Sequence, residues 1–324
     1  MRAFVTGAAG FVGGALVRQL IDRGDSVTAA VRDAPGAGHL AELGCQLVAL
    51  DLAAAEPSAL VAGVHGAEAV FHAAGSYRIG IRATQRSGMY AANVIATRRV
   101  LDAAIAAGTP RVIHTSTANV FGDTKGRVPD ESFRRPTPPR FLSFYDETKY
   151  LAHLAAEERI ASGAAIMIAI PGMVYGPGDH SQVGMQIRQA MAGTLRALAA
   201  PDLGGNLVHV DDLAAGMLLI HDRGEIGESY LLGGEIARLR EVIARAAALA
   251  GRRPPRLTIP SWLLRGVAPV GGIIGSMVGR GPDLGEMVRA SAGVTYWFSD
   301  ARARVELGYA PRDLEAGLRT LLPT

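Results

Sequence analysis

What the chain has little of narrows its class before any motif is read. It holds one cysteine, Cys45, which excludes an internal disulfide and fits a reducing compartment. That residue opens "CQLVAL", a buried-strand pattern, so it reads as a packed thiol rather than a nucleophile. Long hydrophobic runs are missing. The longest, 266–279, has 14 residues broken by glycines and a proline, short of the roughly 20 that span a bilayer as a helix. Charge of one sign is not in excess either: the formal net charge is +3, with no basic run, which argues against a nucleic-acid partner. "MRAFVTG" starts a strand at once, with no targeting segment ahead of it, so a cytoplasmic location away from membranes is expected. Lysine is the scarcest cation: two lysines, Lys125 and Lys149, stand against 31 arginines.

What is present is an alternation. Apolar runs of four to six residues fall at 2–6, 26–31, 45–50, 68–72, 111–115 and 165–170. Helical spacing fills 10–23, 57–63, 89–107 and 143–161 between them. Strands alternating with helices predict an α/β fold, a doubly wound parallel sheet covered on both faces. After residue 171 the rhythm loosens into a turn-rich "PGMVYGPGDH", a helix over 181–199 and a strand "NLVHV" before a helix over 211–221. The division expected is a dinucleotide-binding domain over 1–171, rejoined by 205–233 and 298–310, with a smaller substrate lobe from 172–204 and 234–297. The Pro-rich "RRPTPPR" (134–140) reads as a loop at the rim of a site.

"FVTGAAGFVGGAL" places Gly7, Gly10 and Gly13 directly after the first strand and at the opening of a helix. Glycine there permits a tight turn, a close approach of backbone to a pyrophosphate, and close packing of helix on strand. The free N–H groups and positive end of the helix suit phosphates. Gly7, Ala9, Gly10, Phe11, Val12 and Gly13 are therefore candidate cofactor-binding residues. The second strand ends at Val31 and Arg32, where an NAD-binding fold usually carries a carboxylate; an arginine fork suits a 2′-phosphate. NADP(H) is favoured, with NAD(H) the alternative through Asp33. Asp51 and Leu52 are candidates for adenine contact, and Ala73, Ala74 and Gly75 end the fourth strand where backbone must approach the cofactor.

Tyr145 and Lys149 lie one helical turn apart in "YDETK" and share a face. A phenol is a reluctant acid at neutral pH, and a nearby cation pulls its pKa down. A compact ammonium can sit beneath a phenol and a ribose where a planar guanidinium has to be placed differently. Tyr150, with no lysine four residues on, is turned away. Thr115, Ser116 and Thr117 end the fifth strand, where doubly wound sheets bind ligands, and their alternation means that not all three face the site.

Together, "TGAAGFVG", "HAAG", "YAANVIATRRVL", "YDETK", "PGMVYGPGD" and "LVHVDDLAAG" resemble the extended short-chain dehydrogenase/reductase family, also called the NAD-dependent epimerase/dehydratase family. Within it the chain is similar to dihydroflavonol-4-reductase-like proteins and to the hopanoid-associated sugar-epimerase-like group. The resemblance implies Tyr145 as proton donor and acceptor, and Lys149 as its partner and a ribose ligand. It places Thr117 on the substrate oxygen, with Ser116 as the alternative. It sets Pro171 and Met173 against the nicotinamide, and Asn93 in a structural role. Ser76, Tyr77, Met173 and Tyr175 fall on the substrate side. No metal is implied, and a homodimer through the helices at 89–107 and 143–161 is.

Two departures bear on the reaction. Ala118–Asn119 replace the Asp–Glu pair of the family's dehydratases, and Ile170 and Met173 replace an arginine and an asparagine common in nucleotide-sugar enzymes. The reading that follows is an NADPH-dependent reductase of a largely apolar ketone or aldehyde. A nucleotide-sugar epimerase with retained NAD and a non-catalytic cofactor-sensing module are the alternatives.

Overall fold

The computed structural model describes residues 1–266 and 283–322. Seven parallel strands form the central sheet: β1 (Arg2–Thr6), β2 (Ser26–Val31), β3 (Gln46–Ala49), β4 (Ala69–His72), β5 (Val112–Thr115), β6 (Ile166–Pro171) and, later in the chain, β10 (Ser229–Leu232). Their order is β3-β2-β1-β4-β5-β6-β10. The chain reverses its direction of travel across the sheet between β1 and β4, and a doubly wound sheet takes its ligand at the carboxyl ends on either side of such a point.

The strands read as nearly continuous apolar runs because both faces are covered. Alternate residues go to opposite sides: Phe4, Val70, Val112 and Ile168 join one core, and Val5, Phe71, Ile113 and Met167 the other. The first core is closed by Leu60, Leu101 and Ala156, from the helices Pro57–Val64, Ala96–Ala106 and Phe144–Ala161. Leu16 and Leu20 of Phe11–Asp22, with Leu213 and Met217 of Val210–Arg223, close the second. Each of the larger of these side chains, taken wholly out of water, contributes about 1.5–3 kcal/mol.

The remaining strands are β7 (Met173–Tyr175), β8 (Ala197–Ala199), β9 (Gly204–His209), β11 (Glu235–Arg238), β12 (Leu257–Ile259) and β13 (Thr295–Tyr296). β9 pairs antiparallel with β11 and parallel with β7 and β13, while β8 and β12 form a separate parallel pair. The sequence reading ran one helix over 181–199. The chain instead ends the helix Gln182–Ala192 at Gly193, left-handed at φ 74°, and spends 197–199 in β8. The region read as one helix over 89–107 contains a π-helical stretch, Ala91–Ile95, that widens one turn and carries Asn93. Residues 267–279 of the apolar, glycine-rich run lie outside the described residues, and so does part of the expected 234–297 lobe. No described helix is long and apolar enough to cross a membrane.

Candidate active site

Gly7 turns the chain after β1 with φ +70°. A Cβ there would lie 2.7 Å from the Ala74 nitrogen and 2.8 Å from the Ala73 carbonyl oxygen, so the ends of β1 and β4 meet only because this residue is glycine. At Gly13 a Cβ would fall 2.0 Å from the Gly7 oxygen, which forces glycine where helix crosses strand. The helix Phe11–Asp22 starts from Gly10 with no side-chain cap and no acidic residue in its first turn. Its leading N–H groups are thus left for a ligand. Ala9 and Gly10 are exposed at this turn, and Phe11 and Val12 half-buried. The cradle fits a dinucleotide's pyrophosphate.

Beyond β2, Arg32 is exposed and makes no hydrogen bond or ion pair with any described residue. Asp33 folds back over its own loop, its Oδ2 standing 2.5 Å from where a Gly36 Cβ would be. Asp51 spends Oδ1 on its own turn, accepting from the Ala53 and Ala54 nitrogens at 3.0 and 3.2 Å. Leu52 packs against the first core.

Asn93 ties the segment after β4 to the helix Phe144–Ala161. Its Oδ1 accepts from the Ser76 nitrogen at 2.6 Å, while Nδ2 donates to the Ser76 carbonyl at 3.0 Å and to the Thr148 hydroxyl at 2.9 Å. The structural role that the resemblance implied for Asn93 has a geometry here: it fixes Gly75 and Ser76 relative to Tyr145, three residues before Thr148.

Tyr145 and Lys149 are both buried on one face of that helix. The Lys149 ammonium donates to the Thr115 carbonyl at 2.8 Å, and burial brings it down to about 8. The pull on the phenol expected from the lysine is not realised in this arrangement. Burial holds Tyr145 above the usual phenol range; Tyr77 and Asp146 add to the rise, and hydrogen bonding with Thr117 opposes it. One ammonium proton is spent on Thr115, which leaves two donors for a bound ligand.

The hydroxyls after β5 separate as strand alternation requires. Thr117 faces Tyr145 and caps the short turn Ala118–Phe121, its Oγ1 lying 3.1 Å from Asn119 Oδ1. Ser116 points elsewhere, to His153 Nδ1 at 2.9 Å. Thr117 is therefore the hydroxyl placed with the phenol, and Ser116 is not. Tyr77 stands edge-on to Tyr145 with ring centroids 4.9 Å apart. Pro171 ends β6 paired with Leu232, and Met173 follows in β7, half-buried against Gly205. Tyr175 does not line the site. Its ring is 1% exposed against His209, and its hydroxyl donates to the Leu314 carbonyl at 3.4 Å, because β7 turns that side chain into the core beneath the helix Leu314–Arg319. Tyr150 packs on Phe141, turned away as expected.

Two features were not read from the sequence. Arg135, inside the Pro-rich loop, makes a bidentate pair with Asp146, both contacts at 2.7 Å and both side chains buried. The loop is pinned to the first turn of the Tyr145 helix rather than forming a loose rim. The other is a polar row, Thr6–His72–His114, in register across β1, β4 and β5. The Thr97 hydroxyl donates to the Asn93 carbonyl at 2.7 Å, so it accepts from His72 Nε2 at 2.9 Å, and His72 Nδ1 accepts from Thr6 at 2.7 Å. His72 is neutral, since burial lowers it to about 3. Histidines at matching strand positions were the signal available for this row.

Comparison with known proteins gives the family. The family model described as NAD dependent epimerase/dehydratase family matches residues 3–233. A Synechocystis sp. protein named "Putative dihydroflavonol 4-reductase" is 31% identical over 97% of this chain and 92% of its own. From Stigmatella aurantiaca, a 4-hydroxy-2-methyl-3-oxo-4-farnesyl-3,4-dihydroquinoline-1-oxide ketoreductase is 31% identical over 96% of this chain and 92% of its own. The solved structure of gox2253 superposes with a TM-score of 0.84 at 32% identity, covering 98% of this chain and 95% of that one. With a glycine cradle at the β1–β4 crevice, a buried Tyr–Lys pair beside it and a family match over most of its length, the chain belongs to the NAD dependent epimerase/dehydratase family, as an NAD(P)-dependent oxidoreductase.

Proposed function

We propose that the chain is an NADPH-dependent reductase of a ketone or aldehyde with a largely apolar body, able to run the reverse alcohol oxidation. The observation that carries this reading is Tyr145 hydrogen-bonded with Thr117 and one helical turn from a buried Lys149 that reaches the end of β5. Similarity to proteins named as a ketoreductase and as an oxoalkanoate reductase supports it.

The cradle residues, Arg32 and Lys149 would hold the dinucleotide, and when bound its dihydronicotinamide supplies a hydride to the carbonyl carbon. Tyr145 then donates its proton to the carbonyl oxygen, and a phenol held above its usual range by burial is fully protonated for that task. Thr117 orients the same oxygen once its hydroxyl turns from Asn119. The Asn93 tie keeps the phenol at a fixed distance from the segment after β4. Ala118 and Asn119 offer no acid–base pair for water elimination.

A panel of aryl and alicyclic ketones set against UDP- and dTDP-sugars, each with NADPH and NADH, tests the reading. Turnover confined to the sugars would sink it. Nucleotide-sugar epimerisation is the second reading, favoured by the arginines Arg78 and Arg82 beside Tyr77.

Cofactor choice is a separate expectation. With Arg32 unpartnered and Asp33 folded back, Arg32→Ala should weaken NADPH about tenfold to a hundredfold and NADH hardly at all. Fluorescence titration with both nucleotides reads it. Equal losses would mean that Arg32 only stacks on adenine.

A further inference from the structure

A pocket of about 410 Å³ opens beside the phenol. Tyr77 to Arg82 and Gln85 form one wall, His180 to Gln182 the other. Two wall residues also touch Tyr145: Tyr77 edge-on, and Ile81, buried in one cluster with Tyr145 and Met89. Tyr77 and Ile81 are thus shared between the pocket wall and the surroundings of the Tyr145 ring, which puts the pocket next to the phenol. Apart from Ile79, Gly80 and Ile81, its described lining residues carry polar or cationic groups. Arg78 and Arg82 line it, and no carboxylate is among the described residues of its lining. Two acids stand close to it with oxygens engaged: Asp179, buried, accepts from the Ser181 nitrogen at 2.7 Å and the Ser181 hydroxyl at 3.0 Å, and Asp283, whose nitrogen donates to the Gly80 carbonyl at 2.8 Å, accepts from the Glu286 nitrogen at 2.9 Å. Arg78 makes no hydrogen bond or ion pair with any described residue. The imbalance runs through the sequence: residues 69–101 carry five arginines and neither Asp nor Glu.

We infer that this pocket takes an acidic group of the substrate, read by Arg78, so that the ketone is an amphiphilic oxo acid with its carbonyl at Tyr145. A guanidinium offers paired N–H donors that match the two oxygens of a carboxylate. The inference rests on the reductase reading for the carbonyl, and on the pocket alone for the acid. A second source of anionic oxygens is the cofactor itself, because a Cβ at Gly178, two residues before His180, would lie 4.0 Å from the Phe11 ring of the glycine turn.

The test uses aryl oxo acids of increasing chain length, each paired with its methyl ester, and the full-length protein with NADPH. Wild type should favour at least one acid over its ester by about tenfold to a hundredfold in kcat/KM, and Arg78→Gln should erase that preference while leaving the ester nearly unchanged. Equal handling of every acid and ester by wild type overturns the inference. If no compound is reduced, the reductase reading fails by itself, and calorimetric binding of the same acids to the NADP⁺-loaded protein still decides this one. Acid affinity lost in Arg78→Gln with NADP⁺ affinity intact upholds it. Acid affinity unchanged, or a loss confined to NADP⁺, overturns it, the latter by assigning Arg78 to the cofactor's phosphates.

Discussion

Tyr145→Phe is expected to bind NADPH as tightly as wild type and to lose about a thousandfold in kcat, within the range that a positioned general acid contributes. The ring of phenylalanine fills the same buried space against Tyr77, Ile81 and Met89, so only the hydroxyl, with its proton and its hydrogen bond to Thr117, is removed. Lys149→Arg should fail comparably although it keeps the charge. The ammonium is buried and reaches the Thr115 carbonyl at 2.8 Å, a space into which a planar fork cannot fold with the same contacts. A pH profile separates the two roles. Burial brings Lys149 down to about 8, so its cation is present below that value and lost as pH rises through it. Reduction that depends on the cation should fall across the same interval, and an arginine that restored activity would hold it flat to higher pH. Near-normal turnover in Lys149→Arg would mean that the site needs a cation there and not a lysine.

The parts of this molecule that were legible in the sequence are those governed by local chemistry. Gly7 and Gly13 could be assigned because a Cβ at either would collide with backbone, a constraint that shows as glycine wherever it acts. The strands of the central sheet were readable because a parallel sheet buried on both faces leaves uninterrupted apolar runs. The choice between Ser116 and Thr117 was open in the sequence, since alternation says that neighbours diverge but not which one faces the site. Tyr175 was misplaced for the same reason: three residues in β7 admit either phase until β9 and the helix Leu314–Arg319 are packed around them. Lys149 could be singled out by its spacing from Tyr145, but its immediate partner could not be. A backbone carbonyl such as that of Thr115 leaves no trace in residue identity. Long-range ion pairs such as Arg135–Asp146 are equally silent, because each member alone reads as a surface charge.

That pair carries the largest stability effect expected here. Asp146 follows Tyr145 in the first turn of the helix, fully buried, and accepts from both guanidinium nitrogens of Arg135 and from the Leu142 nitrogen at 2.9 Å. Arg135 also donates to the Arg140 carbonyl at 2.5 Å and, more distantly, to that of Asn119 at 3.5 Å, and lies over the Phe141 ring at 4.8 Å. Since Asn119 is the hydrogen-bond neighbour of Thr117, one guanidinium holds the residue beside the phenol and the turn beside the hydroxyl. Arg135→Ala would strand a carboxylate in the core. Breaking a buried pair from one side costs about 3–5 kcal/mol, whereas replacing both members by apolar residues of similar volume is often neutral. Denaturant unfolding of Arg135→Ala, Asp146→Leu and an Arg135→Met/Asp146→Leu double variant should therefore show two large losses in the single variants and a much smaller one in the double. A loss below about 1 kcal/mol in Arg135→Ala would mean that water reaches Asp146 and that the pair behaves as a surface ion pair. If the double variant folds stably but turns over slowly, the pair's contribution lies in aligning Tyr145 with Thr117, because the helix and the loop would then be intact without the link that registers one against the other.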